Sequence, residues 1–322
     1  MTWLPYLALL LGFVTLIWSA DRFLSGAAST ASNLGVSKML IGLTVVSVGT
    51  SAPEILVSLA AAMEGKPLLA VGNAIGSNIA NIGLVLGITA LVAPLPFNPN
   101  VLRTELPWLL GATTLAIVLL FDLDLTRLDG VFLLAGLAMI MYRLVVNQRT
   151  ASEAGEPEPL SEALDELPQL NQKQAIFWLV VGLVALIISA EILVWAATQV
   201  ARDLGVNDMV IGLTIVAIGT SLPELAATVG SALKGHPDIA IGNVVGSNIL
   251  NILAVLSVPA LVAPVEISHL ALWRDAGVMV ALTMLLALFA YGIGSRAVIT
   301  RFEGAVLLLA WAGYNILLIF QA

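Results

Sequence analysis

The chain has no cysteine, only two histidines, and few charges: 11% of its 322 residues are Asp, Glu, Lys or Arg. Without cysteine there is no disulfide and no thiolate metal site. So few charges cannot cover a soluble protein of this size, because 59% of the residues are hydrophobic. No basic patch is present, so nucleic acid is excluded as a partner. Ten-residue segments of alternating polarity are missing too, which excludes an outer-membrane barrel. The net charge of −8 is largely local: six of the 21 acids fall between Glu153 and Glu166. The chain opens Met1-Thr2-Trp3 with no basic region and no small-residue cleavage site, and is read as starting in its first membrane helix.

What the sequence does have is a series of apolar runs long enough to cross a bilayer. They predict an all-α polytopic membrane protein with ten transmembrane helices. The first five span about 4–30, 39–63, 69–93, 104–121 and 128–147; the second five about 173–200, 209–233, 239–262, 272–291 and 301–320. Between them lies the one extended polar stretch, Asn147 to Lys173, read as a solvated acidic linker over residues 148–172.

Residues 19–94 align with residues 189–264 at a constant offset of 170, and 37 of the 76 positions are identical. The chain therefore divides into a first five-helix repeat, residues 1–147, and a second, residues 173–322. Two tandem copies of an odd number of spans insert with opposite orientation, which predicts inverted repeats with a site near the midplane between them. Of the 13 Lys and Arg residues, nine fall on one side and four on the other if the N-terminus lies outside. That predicts both termini outside and the linker in the cytoplasm of a cell membrane.

Each repeat carries an acid where a membrane span should be most apolar. Gly49-Thr50-Ser51-Ala52-Pro53-Glu54 recurs as Gly219-Thr220-Ser221-Leu222-Pro223-Glu224. An acid at a helix centre costs roughly 2.5–3.5 kcal/mol on insertion scales. Proline breaks the helix beside it and frees backbone carbonyls. Carbonyl, hydroxyl and carboxylate oxygens together suit a hard cation such as Ca²⁺ or Na⁺. Ser51-x-x-Glu54 also fits a helix-capping box, the plain alternative. The following span puts Asn73, Ser77 and Asn81 on one helix face, and Asn243, Ser247 and Asn251 repeat the stripe. Asn78 and Asn248 lie off it and are expected to bond the broken backbone of the neighbouring helix. Gly72-x-x-x-Gly76 and Gly242-x-x-x-Gly246 read as close helix packing. Asp21 and Glu191 read as interfacial acids and not as cation ligands. Trp3, Trp108, Trp178 and Trp273 read as an interfacial belt.

The doubled motifs, Gly-Thr-Ser-x-Pro-Glu over Gly49–Glu54 and Gly219–Glu224 and Gly-Asn-x-x-Gly-Ser-Asn-x-x-Asn over Gly72–Asn81 and Gly242–Asn251, resemble the α-repeats of the cation/Ca²⁺ exchanger superfamily, in its prokaryotic sodium/calcium exchanger branch. The two α-repeats would occupy residues 36–94 and 206–264. The resemblance implies an antiporter, not an enzyme, that exchanges Na⁺ for Ca²⁺ with no cofactor and no obligatory protein partner. Carried over by motif position, the implied ligands are Ser47, Thr50, Ser51, Glu54, Ser77 and Asn81, with Ala217, Thr220, Ser221, Glu224, Ser247 and Asn251; Ser47 and Ala217 would offer mainly backbone carbonyls. Some members carry Asp where this chain has Asn251, so the pocket here has two formal negative charges. An H⁺-coupled Ca²⁺ or Mn²⁺ exchanger and a cation channel are the alternatives.

Overall fold

The computed structural model describes residues 3–34, 49, 51–97, 101–153, 170–233, 235, 237–291 and 297–321. Helix α1 is Leu4–Asn33, α2 is Ala52–Met63, α3 is Pro67–Val92, α4 is Val101–Leu120 and α5 is Arg127–Glu153. In the second half α6 is Gln172–Leu204, α7 is Asp208–Thr220, α8 is Leu222–Leu233, α10 is Ala271–Tyr291 and α11 is Arg301–Gln321. Helix α9 runs Pro237–Leu250, continues through a π-helical stretch Asn251–Val255 and ends with Ser257–Val262.

Among the described residues, seven helices are long and apolar enough to cross a membrane, or eight if the bent pair α7–α8 counts as one span. The chain is thus a multi-pass helical membrane protein. Each of the ten expected spans coincides with helix at least in part. The second, expected over 39–63, is described mainly as α2. The fifth runs past its expected end at 147 as far as Glu153, so helix extends into the expected linker. Residues 154–169, the rest of that linker apart from 170–172, lie outside the described residues.

Local chemistry sets the helix boundaries. Pro53 and Pro67 sit in first turns, where the missing N–H has no intrahelical partner to lose, and Pro107 follows the π-helical stretch Val101–Glu105 at the start of α4. Asn171 and Asn207 cap α6 and α7, each side chain accepting a backbone N–H, from Gln174 and Val210. Gly65 (φ 72°) and Gly235 (φ 88°) occupy the repeat-related turns after α2 and α8, where a left-handed backbone favours glycine.

Helices α3 and α9 form the centre: 83% and 78% of their apolar windows are buried, against 22% for α1 and 28% for α6. The outer helices leave large apolar side chains exposed, among them Leu7, Leu10, Val180 and Ile188, as a lipid-facing surface requires. Lipid gives no hydrophobic drive between helices, so close approach of small residues matters. A Cβ on Gly26 of α1 would lie 2.3 Å from the Leu179 amide, and one on Gly182 of α6 2.4 Å from that of Phe23. A Cβ on Gly72 would lie 2.5 Å from the Met209 carbonyl, and one on Gly212 2.4 Å from that of Leu69, so α3 and α7 cross nearly backbone to backbone.

Two short antiparallel ladders join the halves. Strand β1, Leu95–Pro96, follows α3 and pairs with β4, Val298–Ile299, which precedes α11. Strand β2, Asp124–Leu125, precedes α5 and pairs with β3, Val265–Glu266, which follows α9. Helix α4 lies between β1 and β2 in the chain, and its 20 residues span about 30 Å at 1.5 Å rise per residue.

Candidate cation site

The two helix breaks are built alike. Ser51 (φ −91°, ψ 8°) and Ser221 (φ −85°, ψ 1°) leave helical geometry at equivalent positions. Pro53 and Pro223 have no N–H to return to the carbonyls of Gly49 and Gly219 four residues back. At the second break α7 and α8 meet at a bend of 41°. Glu54 and Glu224 then fall in the first turns of α2 and α8, where the helix dipole favours negative charge.

Both carboxylates are buried, each 1% exposed, and all four of their oxygens lack a hydrogen-bond partner among the described residues. They lie within electrostatic range of each other. Ser51 Oγ and Ser221 Oγ are also buried and unpartnered. Neither hydroxyl is spent on capping, so the capping-box alternative does not account for these residues. Natural structures seldom leave buried polar atoms without partners, and a cluster of them marks a place where something else binds.

Helices α3 and α9 supply the remaining polar groups. Ser77, Asn81, Ser247 and Asn251 are buried. Both amide atoms of Asn81, and both of Asn251, are unpartnered. Each of these asparagines starts a π-helical stretch, Asn81–Leu86 and Asn251–Val255. A π turn widens the helix and redirects the side chains beside it. Ser77 Oγ stands 3.4 Å from Thr220 Oγ1, which brings the halves into contact at the site. The buried Ala217 offers a carbonyl that already accepts from the Ser221 N–H (3.1 Å) and stands 3.4 Å from the Thr220 hydroxyl, within reach of its hydrogen. Ser47 and Thr50 lie outside the described residues. Among the described residues, no group of three or more His, Cys, Asp and Glu side chains is placed to hold a metal ion.

Several sequence expectations need correction. Asn78 does not reach the neighbouring helix; its Nδ2 donates to the Ala74 carbonyl of its own helix at 2.8 Å. Asn73 makes the expected bond instead, donating to the Glu54 carbonyl at 3.2 Å. Gly72 and Gly76 do pack closely on α7, but a Cβ on Gly246 would meet nothing within 4 Å and one on Gly242 only Glu105 Oε2 at 3.5 Å. Asp21 and Glu191 are exposed, consistent with interfacial acids. Trp3 and Trp273 are largely exposed as belt residues should be, whereas Trp108 packs against the core. The sequence did not single out Ser58 and Thr228, a repeat-related pair that accepts from Asn73 and Asn243 at 3.0 and 3.1 Å. The offset of 170 relates them and was the available signal.

A family model described as sodium/calcium exchanger protein matches residues 4–146 and 174–320. The chain is 47% identical to the provisionally named antiporter CaxA of Alkalimonas amylolytica, over 96% of this chain and 97% of that one. It is 33% identical to the sodium/calcium exchanger MaX1 of Methanosarcina acetivorans, over 98% of both. Among solved structures it resembles the sodium-calcium exchanger NCX_Mj soaked with Na⁺ and Ca²⁺, with a TM-score of 0.64 and 32% identity over 97% of each chain.

Proposed function

The chain belongs to the sodium/calcium exchanger family, in the prokaryotic branch of the cation/Ca²⁺ exchanger superfamily, and on that premise we propose that it exchanges Na⁺ for Ca²⁺ across the membrane by alternating access. The observation that carries the reading is the pair of buried carboxylates, Glu54 and Glu224, at two repeat-related helix breaks, whose oxygens find no partner within hydrogen-bond distance among the described residues. The ligand set comprises these two with Ser51, Ser77, Asn81, Ala217, Thr220, Ser221, Ser247 and Asn251, together with Ser47 and Thr50.

Charge balance gives the mechanism. Two facing carboxylates repel until cations neutralise them. One Ca²⁺ does so, and so do two Na⁺. A third Na⁺ leaves one positive charge and makes exchange electrogenic. Na⁺ and Ca²⁺ compete for overlapping oxygens, and a neutralised site reorients more readily than an empty dianionic one.

The architecture in this proposal is ten spans in two inverted repeats, residues 1–147 and 173–322, joined by the linker 148–172. The crossed ladders support it. Exchanging the halves converts β1–β4 into β3–β2, and α4 holds those ladders at opposite ends, so the two-fold that relates them turns one end of the bundle into the other. The distribution of Lys and Arg supports termini outside and the linker in the cytoplasm.

The test is uptake of ⁴⁵Ca²⁺ into proteoliposomes loaded with Na⁺, with K⁺-loaded and proton-gradient vesicles beside them. Uptake should require internal Na⁺. Equal uptake driven by a proton gradient without Na⁺ would replace Na⁺ coupling with H⁺ coupling.

A further inference from the structure

Asn73 lies outside the ligand set, is fully buried, and joins the two halves beside the site. Its Nδ2 donates to the Glu54 carbonyl at 3.2 Å and to Ser58 Oγ at 3.0 Å. Its Oδ1 accepts from Thr220 Oγ1 of the other half at 3.3 Å. Both donors of the amide are thereby engaged, and its acceptor spans the interface between repeats.

Each bond acts on a group of the site. The carbonyl it holds is that of Glu54, so the amide fixes the peptide from which that side chain projects. The hydroxyl it accepts from has a single hydrogen. Asn73 Oδ1 at 3.3 Å and the Ala217 carbonyl at 3.4 Å both lie within reach of that hydrogen, and Asn73 is the acceptor contributed by the other half; directed to Asn73, it leaves the lone pairs of Thr220 Oγ1 free to face a cation. The repeat-related Asn243 makes the corresponding bond within its own half, to Thr228 Oγ1 at 3.1 Å. Packing alone would be served by any side chain of this volume. The paired donor and acceptor on one amide, reaching one ligand from each half, are what packing does not require.

We infer that Asn73 is a positioning residue that sets the cation affinity of the site by holding the Glu54 main chain and the Thr220 hydroxyl in register across the two halves. The inference rests on the ligand roles proposed for Glu54 and Thr220.

The test measures initial rates of Na⁺-driven Ca²⁺ uptake against Ca²⁺ concentration, with rates expressed per folded transporter. Asn73→Ala should raise the apparent KM for Ca²⁺ about tenfold, the equivalent of losing roughly one buried hydrogen bond, while the maximal rate changes less. Ser58→Ala, which removes the one partner remote from the ligands, should shift KM less than Asn73→Ala. Combining Asn73→Ala with Thr220→Val should shift KM by less than the product of the single effects, because both act on one interaction. Should Asn73→Ala fail to insert, Asn73→Ser carries the same KM prediction. An unchanged KM, with loss confined to the amount of folded protein, overturns the inference, as does a Ser58→Ala shift equal to that of Asn73→Ala. Glu54→Gln in the same series separates the two levels: full exchange in that variant overturns the site itself, whereas lost exchange there beside a normal KM in Asn73→Ala overturns the role of Asn73 alone.

Discussion

Among the described residues carboxylates are buried at two places, and the fold treats them in opposite ways. Asp275, in the first turns of α10, is wholly buried. It is bonded by Arg274 Nε at 2.6 Å, by Arg274 Nη2 at 3.1 Å and by the Tyr314 hydroxyl of α11 at 2.8 Å. Arg274 reaches on to Gln321 at 3.0 Å, tying the end of the last helix to the same cluster. Glu54 and Glu224 are as deeply buried and have no donor on any of their four oxygens among the described residues. A chain that supplies a guanidinium and a phenol to one buried acid leaves the oxygens of two others without a partner among the described residues. The difference separates an acid satisfied by the protein from the two acids proposed to hold a mobile cation.

The comparison predicts that removing charge should have opposite consequences at the two places. The largest effect is expected from Glu54→Gln and Glu224→Gln. Each should reduce exchange to background, and each should leave thermal stability unchanged or raised in cation-free buffer, because an unpaired buried charge has been removed. Arg274→Leu should do the reverse. It strands a buried carboxylate, a loss of about 3–5 kcal/mol, read as a large drop in the melting temperature, with KM near wild type in the protein that still folds. Tyr314→Phe should cost about 1–2 kcal/mol, since Asp275 keeps its arginine. The smallest effect is expected at the exposed acids: Asp21→Asn and Glu191→Gln should each change the exchange rate less than about twofold, as solvated charges contribute little. A strong transport defect in either would place an ion-handling role at the helix ends and blur the contrast.

Much of the site was legible because the chain writes it twice. Glu54 and Glu224 stand out as acids in apolar runs, each beside a proline, and the offset of 170 matches Ser77 to Ser247 and Asn81 to Asn251. The helices themselves were read from apolar length. Three features were not legible, each for a physical reason. The π turns at Asn81 and Asn251 change hydrogen-bond register without changing composition, so periodicity does not mark them. Asn73 appeared on the polar stripe, but its partners Glu54 and Thr220 lie 19 and 147 residues away, and only the packing of α3 against α2 and its crossing with α7 bring them together. Asp275 and Tyr314 meet across 39 residues in a pairing absent from the first half, where Ile140 in α5 stands near the corresponding place, so the repeat gave no hint of it.

The central claim is that the bare carboxylates hold the transported cation, and equilibrium binding tests it most directly. Purified protein in detergent should bind ⁴⁵Ca²⁺, release it as Na⁺ is raised, and lose that binding in Glu54→Gln and in Glu224→Gln alike. Retained, Na⁺-displaceable Ca²⁺ binding in either variant would contradict the claim.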